Sequence, residues 1–307
     1  MNQTSWVRGL LLSLATAILW GWMPLLLRGL VDHLDPLTAT GYRYLLCALG
    51  NALYLWILGG STWRPLRERN VLLLVALCVG GMLINNVMFL YGLRLTSPGA
   101  AQVLSQLGPV MLLLGGVLIF RERFSPRQWG GGVLVVSGMA LFFHDRFGGM
   151  DSQGDYGIGL LILVTAPVFW ATYGLAQKKM TGLLGPQQVL VIIYVLGTIL
   201  LSPFISWGAI AAMSAGGHAF AIGSMIVTVA SYITFNEALA RWDASRVSAI
   251  LTLTPLFTLL ATRIAASGWP HLFASEHHDA VSWLGAAIVV AGSLCVAVPR
   301  YRRRRQP

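Results

Sequence analysis

The residues with the clearest chemical potential are polar side chains that interrupt long apolar stretches of the sequence. Arg43 stands in Tyr42-Arg43-Tyr44, about seven residues into the second apolar stretch. An arginine inside a membrane helix must reach outward to the lipid headgroups, pair with an acid or face a water-filled cavity. Reaching outward and facing a cavity are equally compatible with the sequence. In a cavity, the planar charge of Arg43 would suit a carboxylate group of a substrate.

Four amides lie in the third and fourth apolar stretches. These are Asn85 and Asn86, and the pair Gln102 and Gln106, which are four residues apart and therefore share one face of a helix. Polar groups at membrane depth need partners, so one interpretation is that these amides form hydrogen bonds between helices. The other is that Asn86, Gln102 and Gln106 line a polar path and contact a substrate.

Aromatic residues occur near the middle of two apolar stretches. Trp20 lies in the first stretch, and Trp170 and Tyr173 lie in the sixth. Tryptophan in membrane proteins prefers the interface with water, so a position near the middle is unusual. Small-molecule sites are commonly lined by aromatic walls with a few polar groups. Both a substrate-binding role and ordinary packing therefore remain open for these three residues.

Two acids are candidates for an ionisable role in the membrane. Glu237 is the single acid that our predicted spans place within a membrane helix, which makes it the candidate for coupling transport to an ion. Arg241 follows four residues later, so an i,i+4 ion pair near the helix end is the simpler interpretation. Glu122, between Arg121 and Arg123, is likewise best interpreted as part of an interfacial ion pair.

The histidine pair His277-His278 has Glu276 and Asp279 beside it, in a predicted loop. This cluster could bind a divalent metal, but a solvated loop is the favoured interpretation. The sequence contains no other metal-ligand spacing, no nucleotide-binding loop and no arrangement of nucleophile and base. We therefore predict no catalytic residues, no metal, no cofactor and no enzymatic activity.

The elements that must position these residues are membrane helices. Of the 307 residues, 56% are hydrophobic and 10% are charged, against roughly 45–50% and about 25% in soluble domains. The apolar residues form runs of about twenty, the length that crosses about 30 Å of hydrocarbon. We predict an all-α membrane protein with ten transmembrane helices, at residues 8–31, 36–60, 71–92, 98–120, 126–144, 157–178, 187–211, 217–240, 245–267 and 281–299.

The basic residues predict the orientation of these helices. The net charge is +10, but the basic residues cluster at the ends of apolar runs, which favours contact with the lipid bilayer over nucleic acid. If the N-terminus is cytoplasmic, 16 of the 21 basic residues fall on the cytoplasmic side. Cytoplasmic loops carry such an excess. Both termini are therefore predicted to be cytoplasmic, in a multi-pass protein of the inner (plasma) membrane.

The sequence contains an internal repeat. Leu19-Trp20-Gly21 corresponds to Phe169-Trp170-Ala171 at an offset of 150 residues, and Gln106-Leu-Gly-Pro109 corresponds to Thr252-Leu-Thr-Pro255 at an offset of 146. The two prolines are predicted to form paired bends. Residues 1–148 and 149–307 then hold five helices each, and an odd number forces opposite orientations. Inverted repeats of this kind are the architecture of many secondary transporters.

The stretch that begins at Pro109, continues through Glu122 to Trp129 and runs on to Ser137-Gly138 resembles the signature of the EamA family in the drug/metabolite transporter superfamily. The residues Gly130 to Gly132, Ser137 and Gly138 are predicted to permit close helix contact. The second half repeats this pattern more weakly, with Gly268 where Glu122 would recur. The resemblance implies a ten-helix carrier that works by alternating access and often exports amino acids or other small metabolites.

These observations lead to one functional hypothesis and its rivals. The protein is expected to be an exporter of amino acids or amino-acid-derived metabolites, with an opine-like metallophore among the possible substrates, as a monomer or homodimer. The rivals are a metabolite uptake carrier and a non-transporting membrane sensor or enzyme. A membrane enzyme should show clustered acids, histidines or metal ligands at one interface, and this pattern is missing from the sequence. The direction of transport and its energy source remain open.

Overall fold

The computed structural model of the protein describes residues 3–58, 68–120, 125–144, 154–180, 183–242, 244–270, 272–273 and 279–297. Helices form nearly all of these residues, and no strand occurs among them. In chain order the α-helices are α1 (Gln3–Val31), α2 (Pro36–Leu58), α3 (Arg69–Leu95), α4 (Pro98–Ser105), α5 (Leu107–Phe120), α6 (Pro126–Phe142), α7 (Gly154–Met180), α8 (Pro186–Leu201), α9 (Trp207–Ala212), α10 (Ala215–Arg241), α11 (Ala244–Leu251), α12 (Thr254–Gly268) and α13 (Ala280–Ala297).

Two of the predicted spans are broken, and proline explains both breaks. The predicted span 98–120 divides into α4 and α5, and the predicted span 245–267 divides into α11 and α12. A proline inside a helix lacks the N–H that bonds the carbonyl four residues earlier, and its ring clashes with that carbonyl. The carbonyls concerned belong to Ser105 and Leu251, and these are the last residues of α4 and α11. Both helices are therefore interrupted at corresponding positions before Pro109 and Pro255. That these interruptions act as paired bends in a rocking motion stays a prediction.

The seventh predicted span, 187–211, is too long as a single helix. In the structure α8 ends at Leu201, a 3-10 turn covers Ser202–Phe204, and the short helix α9 follows. Pro203 lies in that turn, where it cannot continue the α-helical hydrogen bonding. By contrast, Pro24 and Pro167 lie inside the continuous helices α1 and α7.

The helices have the length and surface of membrane-spanning segments. Seven segments of the described chain are long and apolar enough to cross a bilayer: Trp6–Val31, Arg69–Leu95, Pro98–Ile119, Gly154–Met180, Pro186–Phe204, Ala215–Ala238 and Val247–Gly268. Large apolar side chains face outward, including Leu118 and Leu161. Exposed tryptophans such as Trp56, Trp129 and Trp269 lie at helix ends, as expected at membrane interfaces. The protein is therefore a multi-pass membrane protein.

The long helices pack as antiparallel pairs. The most extensive contacts join α6 to α13, α3 to α7, α1 to α10 and α2 to α8. Trp20 contacts Ser231 and Gly29 faces Phe220, so α1 and α10 run in opposite directions. Adding the 150-residue offset converts α1 into α7 and α3 into α10. The α1/α10 pair and the α7/α3 pair are thus the same contact made by related segments.

The contact between α6 and α13 depends on four glycines. A Cβ added to Gly131 would lie 2.7 Å from the carbonyl oxygen of Gly292, and one added to Gly138 would lie 2.8 Å from that of Gly285. In the other direction, a Cβ added to Gly285 would lie 2.8 Å from the carbonyl oxygen of Gly138, and one added to Gly292 would lie 2.7 Å from that of Gly131. Only residues without a side chain allow such an approach of two helix backbones. The 154-residue offset converts Gly131 into Gly285 and Gly138 into Gly292, so the contact is self-complementary.

This result confirms close contact for Gly131 and Gly138 but not for their neighbours. A Cβ on Gly130 would meet no atom within 4 Å, and one on Gly132 would only approach Val110 at 4.0 Å. The prediction of close helix contact was therefore wrong for Gly130 and Gly132. They lie on other faces of α6, because successive residues of a helix do not share a face.

Polar contacts tie the same two helices together at one end. The hydroxyl of Ser282 donates to the carbonyl oxygen of Phe142 at 3.2 Å, and His144 lies 3.3 Å from the carboxylate of Asp279. The pKa of Asp279 is lowered because the backbone N–H of Ser282 donates to its carboxylate, with a further contribution from His144. Asp279 thus binds the first turn of α13, where a negative charge is favoured.

The buried apolar residues are distributed unequally between the two ends of the bundle. We call the end that carries Val31, Leu95 and Ala215 the predicted outer end, and the opposite end the predicted inner end. One cluster of buried residues at the predicted outer end joins segments from α1 through α13. Towards the predicted inner end, one cluster on α2, α3, α7 and α8 is separate from another on α10 and α11.

The α6/α13 contact generates a prediction about stability. Gly131→Ala should lower the thermal stability of the protein in detergent, because its Cβ forces the backbones apart at a cost of roughly 1–3 kcal/mol. Gly130→Ala should be neutral or slightly stabilising, since that Cβ meets open space and alanine is the better helix former. Thermal unfolding can be followed with a thiol-reactive dye, because Cys47 and Cys78 are buried. Equal melting temperatures for the two variants would contradict this account.

Candidate functional site

The candidate site begins where α2 crosses α8. The rings of Tyr44 and Tyr194 meet edge to face, with centroids 5.1 Å apart. Gly197 allows this approach, because a Cβ there would lie 2.5 Å from the Tyr44 ring. Tyr44 and Tyr194 are separated by the same 150-residue offset that relates Trp20 to Trp170. The crossing of α2 and α8 is therefore a contact between two repeat-related segments of the chain.

Arg43 is buried at this crossing, with 5% of its surface exposed. Its Nη2 donates a hydrogen bond to Oδ1 of Asn86. Its Nε is buried and has no hydrogen-bond partner among the described residues, and none of the acids described there forms an ion pair with it. The side chain thus faces neighbouring helices and does not reach outward along the lipid surface. Of the two interpretations left open by the sequence, the structure is consistent with the interior-facing one.

Asn86 is held in one orientation. Its Nδ2 donates to the carbonyl oxygen of Met82 at 2.8 Å, and the hydroxyl of Tyr44 donates to the same oxygen at 3.2 Å. The amide oxygen of Asn86 is therefore directed to Arg43. Met82 is thirteen residues from each end of α3, so the group lies near the middle of that helix. At such depth, the charge of Arg43 is far from either surface of the bilayer.

Trp20 approaches the same region from α1. Its Nε1 donates to Oγ of Ser231 at 2.9 Å, and its ring lies 6.0 Å from that of Tyr232, edge to face. Tyr232 also packs against the buried apolar cluster that contains Tyr44. Trp20 and Tyr232 of the α1/α10 pair and Arg43 and Asn86 of α2 and α3 therefore surround one region. We call Trp20, Arg43, Tyr44, Asn86 and Tyr232 the central cluster.

Trp170 and Tyr173 border the central cluster from α7. Tyr173 is a buried member of the apolar cluster that contains Tyr44, and Trp170, like Tyr232, is partly buried and packs against that cluster. Trp170 packs on Gly108, where an added Cβ would lie 3.0 Å from its ring. The repeat-related counterpart of Ser231 is Gly81, which has no hydroxyl to accept a hydrogen bond from Trp170. The two related tryptophans therefore have different environments.

The structure does not join Gln102 and Gln106 to the central cluster. Nε2 of Gln102 donates to Oγ of Ser105 at 3.2 Å, within α4. Gln106 is buried at the break between α4 and α5, and no hydrogen bond of the described residues connects it to Arg43 or Asn86. Their substrate-binding role stays a prediction. Asn85, by contrast, donates to the carbonyl oxygen of Ala166 at 2.9 Å, which is the interhelical interpretation.

Glu237 forms the ion pair that the sequence predicts. Its carboxylate accepts from Nη1 of Arg241, which also donates to the Glu237 carbonyl oxygen at 2.9 Å. Both side chains are partly exposed at the end of α10, so the coupling role of Glu237 stays a prediction. Glu122 and the pair His277-His278 lie outside the described residues. The described residues include no group of three metal-ligating side chains.

Sequence reasoning missed three residues of this region: Tyr44 and Tyr232 of the central cluster, and Ser231, which binds Trp20. The spacing of Tyr44 and Tyr194 repeats the 150-residue offset, so the repeat itself could have indicated Tyr44. Ser231-Tyr232 stands where the first half has Gly81-Met82. A polar pair that replaces an apolar one between related segments is a signal of functional asymmetry.

The different environments of the two tryptophans generate a prediction. Trp20→Phe should destabilise the protein by about 0.5–1.5 kcal/mol more than Trp170→Phe, because it also removes a hydrogen bond and leaves Ser231 without its donor. The two changes remove the same ring area, so each controls for the other. Thermal unfolding of both variants in detergent measures the difference. A larger loss for Trp170→Phe would show that the Trp20 hydrogen bond contributes nothing.

Comparisons with known proteins identify the family. The model of the EamA-like transporter family matches residues 7–144 and again residues 157–298. An uncharacterized inner membrane transporter of Escherichia coli K12, YhbE, is 35% identical over 292 residues, which cover 94% of this chain and 91% of the relative. An uncharacterized transporter of Haemophilus influenzae is 30% identical, over 94% of each chain.

More distant similarities agree with this result. A riboflavin transporter of Rhizobium johnstonii is 27% identical over 204 residues, which cover 65% of this chain and 61% of that protein. A solved crystal structure superposes with a TM-score of 0.63 over 94% of this chain and 95% of that chain, at 17% identity, which establishes a shared fold. The chain is a membrane transporter, and it belongs to the EamA-like transporter family.

Proposed function

We propose that this protein is a secondary carrier of the inner membrane that exports amino acids or amino-acid-derived metabolites by alternating access. In this proposal it has ten transmembrane helices in two inverted repeats, residues 1–148 and 149–307, and both termini are cytoplasmic. The observation that carries the proposal is a buried arginine among aromatic side chains, between the repeat-related helix pairs.

The helix pairing supports the inverted repeat. The 150-residue offset converts the α1/α10 contact into the α7/α3 contact. The 154-residue offset relates α6 to α13, which contact each other. The helices α6 and α13 are related in sequence and run antiparallel. In the proposal, the two repeats that contain them therefore insert into the membrane in opposite directions. Broken helices at corresponding positions of both halves, as at Pro109 and Pro255, occur in transporters with this architecture.

The chemistry of the central cluster supports the substrate class. Arg43 supplies a fixed positive charge, which matches the carboxylate of an amino acid. The rings of Trp20 and Tyr232, which are only partly buried, supply apolar surface for the remainder of the molecule. An opine-like metallophore, which carries several carboxylates, fits the same description. Riboflavin, the substrate named for one relative, has a flat ring system that aromatic walls also suit.

The unequal closure of the two ends supports alternating access. At the predicted outer end one large apolar cluster joins segments from α1 through α13, beside a small cluster of Leu25, Ala261 and Ala265. Towards the predicted inner end, the cluster on α2, α3, α7 and α8 stays separate from the one on α10 and α11. This distribution is the one expected of a carrier closed to the outside and able to open inward. Uptake would use the same two states in the opposite order, so the direction is tested by experiment.

Arg28 adds a polar clamp to the closed end. Its Nη1 donates to the carbonyl oxygens of Leu93, Arg94 and Thr96 at 2.8, 3.0 and 3.0 Å, and its Nε lies 3.3 Å from Asp32. These carbonyl oxygens at the end of α3 have no helical N–H group from which to accept a hydrogen bond. A cation is therefore a favourable partner for them. Opening at the predicted outer end would separate α1 from α3 and would break this clamp.

The transport proposal is tested by measuring flux into proteoliposomes and by comparing cells with and without the gene. Proteoliposomes that contain the protein should move labelled compounds from a panel of amino acids, opines and riboflavin faster than liposomes without protein. Deletion of the gene should deplete the substrate from the medium if the protein exports it, and should deplete it from the cytosol if the protein imports it. Absence of flux for every amino-acid-type compound would refute the proposed substrate class.

The clamp generates a separate prediction. Arg28→Gln should increase opening at the predicted outer end, because glutamine cannot donate charge-assisted hydrogen bonds to three carbonyls. A cysteine in place of buried Leu93, in a background without native cysteines, should then react several-fold faster with an impermeant maleimide. Arg94→Gln is the matched control, since that exposed side chain lies at the same end of α3. Equal labelling in both variants would exclude a clamping role.

A further inference from the structure

We infer that Arg43 binds a carboxylate group of the transported molecule and that Asn86 is the residue that positions Arg43 for this task. The inference rests on the proposed function and specifies what its site recognises: an anionic group, and not merely a small polar molecule. Three observations lead to it, namely the burial of the charge, the positions of the acids and the hydrogen bonds of Asn86.

The charge of Arg43 requires compensation. A guanidinium does not lose its proton in a protein, so burial cannot neutralise it as burial can neutralise a lysine. A buried charge is tolerated when it is paired and hydrogen-bonded. Arg43 has one hydrogen bond to a neutral amide, and its buried Nε has no hydrogen-bond partner among the described residues. The Tyr44 ring, 5.8 Å from the guanidinium carbon, attracts the cation without cancelling its charge.

The acids of the described chain are at the wrong depth to provide this compensation. Each lies at a helix end or in a connection, far from the middle of α3: Asp32, Asp35, Glu68, Asp155, Glu237 and Asp279. Glu237 and Asp32 are already paired with Arg241 and Arg28. None of the acids among the described residues therefore supplies a negative group at Arg43. We infer that a ligand supplies it, and a carboxylate is the group that matches a guanidinium fork.

The hydrogen bonds of Asn86 preserve the charge for such a ligand. Met82 accepts from the amide nitrogen of Asn86, so the amide oxygen is the atom left for Arg43. This contact occupies Nη2, while the buried Nε has no hydrogen-bond partner among the described residues. In the proposal, a carboxylate oxygen accepts from Nε once the carrier opens. An aspartate at position 86 would have the same shape but would act as a permanent counter-ion. Asparagine thus fixes the arginine without neutralising it.

Matched ligands test the inference on the purified protein and in proteoliposomes. The probes are L-phenylalanine, L-leucine and L-glutamine, each compared with its carboxamide, which has nearly the same size but no negative charge. Binding is measured by the shift in thermal unfolding, and transport by competition with the substrate found in the flux screen. For the wild type we expect carboxylates to bind at least about tenfold more tightly than amides, since an amide cannot form the charge-assisted hydrogen bond with the guanidinium.

Variants at positions 43 and 86 distinguish a loss of binding caused by charge from one caused by a change in structure. Asn86→Asp should remove the preference for carboxylates while thermal stability without ligand is kept or raised, because Arg43 gains an internal partner. Asn86→Ala should weaken binding several-fold but keep the preference, since the charge of Arg43 remains. Arg43→Gln should abolish the preference, and Arg43→Lys should restore part of it. If Arg43→Gln does not fold, the comparison of Asn86→Asp with Asn86→Ala still decides the question.

Each outcome bears on one proposal. Equal binding of acids and amides by the wild type, or an unchanged preference in Asn86→Asp, would overturn the inference. Flux of an amino-acid-derived amide or amine without preference for acids would overturn it while leaving the transport proposal intact. Arg43-dependent binding of carboxylates without any flux would support the inference and contradict the transport proposal.

Discussion

The structure depends on one constraint: the positive charge of Arg43 must be accommodated near the middle of a membrane protein. Lipid offers no hydrogen bonds and little dielectric screening, so the surrounding helices must supply polar partners. Asn86 and the Met82 carbonyl provide a neutral support, and Tyr44 provides an aromatic face. Because none of these groups is anionic, the charge remains available to a ligand. The rest of the fold can be understood as the means of holding this group between two halves.

The two halves are held together by contacts that are nearly symmetric. Four glycines allow α6 and α13 to approach at backbone distance, and their arrangement is unchanged when the halves exchange. Van der Waals contact between small residues is an efficient source of affinity in lipid, where apolar burial against other helices gives little advantage over burial in lipid tails. The α6/α13 contact does not include the residues of the central cluster, and it stabilises the association of the two halves.

The sequence predicted the parts of this structure that follow from length, proline and repetition. Apolar runs located the membrane helices, and Pro109 and Pro255 located the breaks, because the missing N–H acts on a carbonyl at a fixed distance along the chain. The central cluster was only partly accessible. Trp20, Arg43 and Asn86 were recognised because polar or bulky residues at mid-membrane are rare, whereas Tyr232 depends on how α10 packs against α1, which no local pattern specifies. The same limit left Gln102 and Gln106 as candidates that α4 does not bring to Arg43.

The departures from symmetry distinguish the two halves of the chain, because two identical halves would present the same surface from both sides. Ser231 accepts from Trp20, whereas its related position, Gly81, lets α3 approach α7 so closely that an added Cβ would lie 2.7 Å from the carbonyl oxygen of Phe169. One helix pair is thus joined by a side-chain hydrogen bond and the other by backbone proximity. Arg43 is also unmatched, since Ile193 stands at the related position. In the proposed mechanism, the symmetric contacts preserve the assembly through the conformational change, and the single charge of Arg43 lies on one half only.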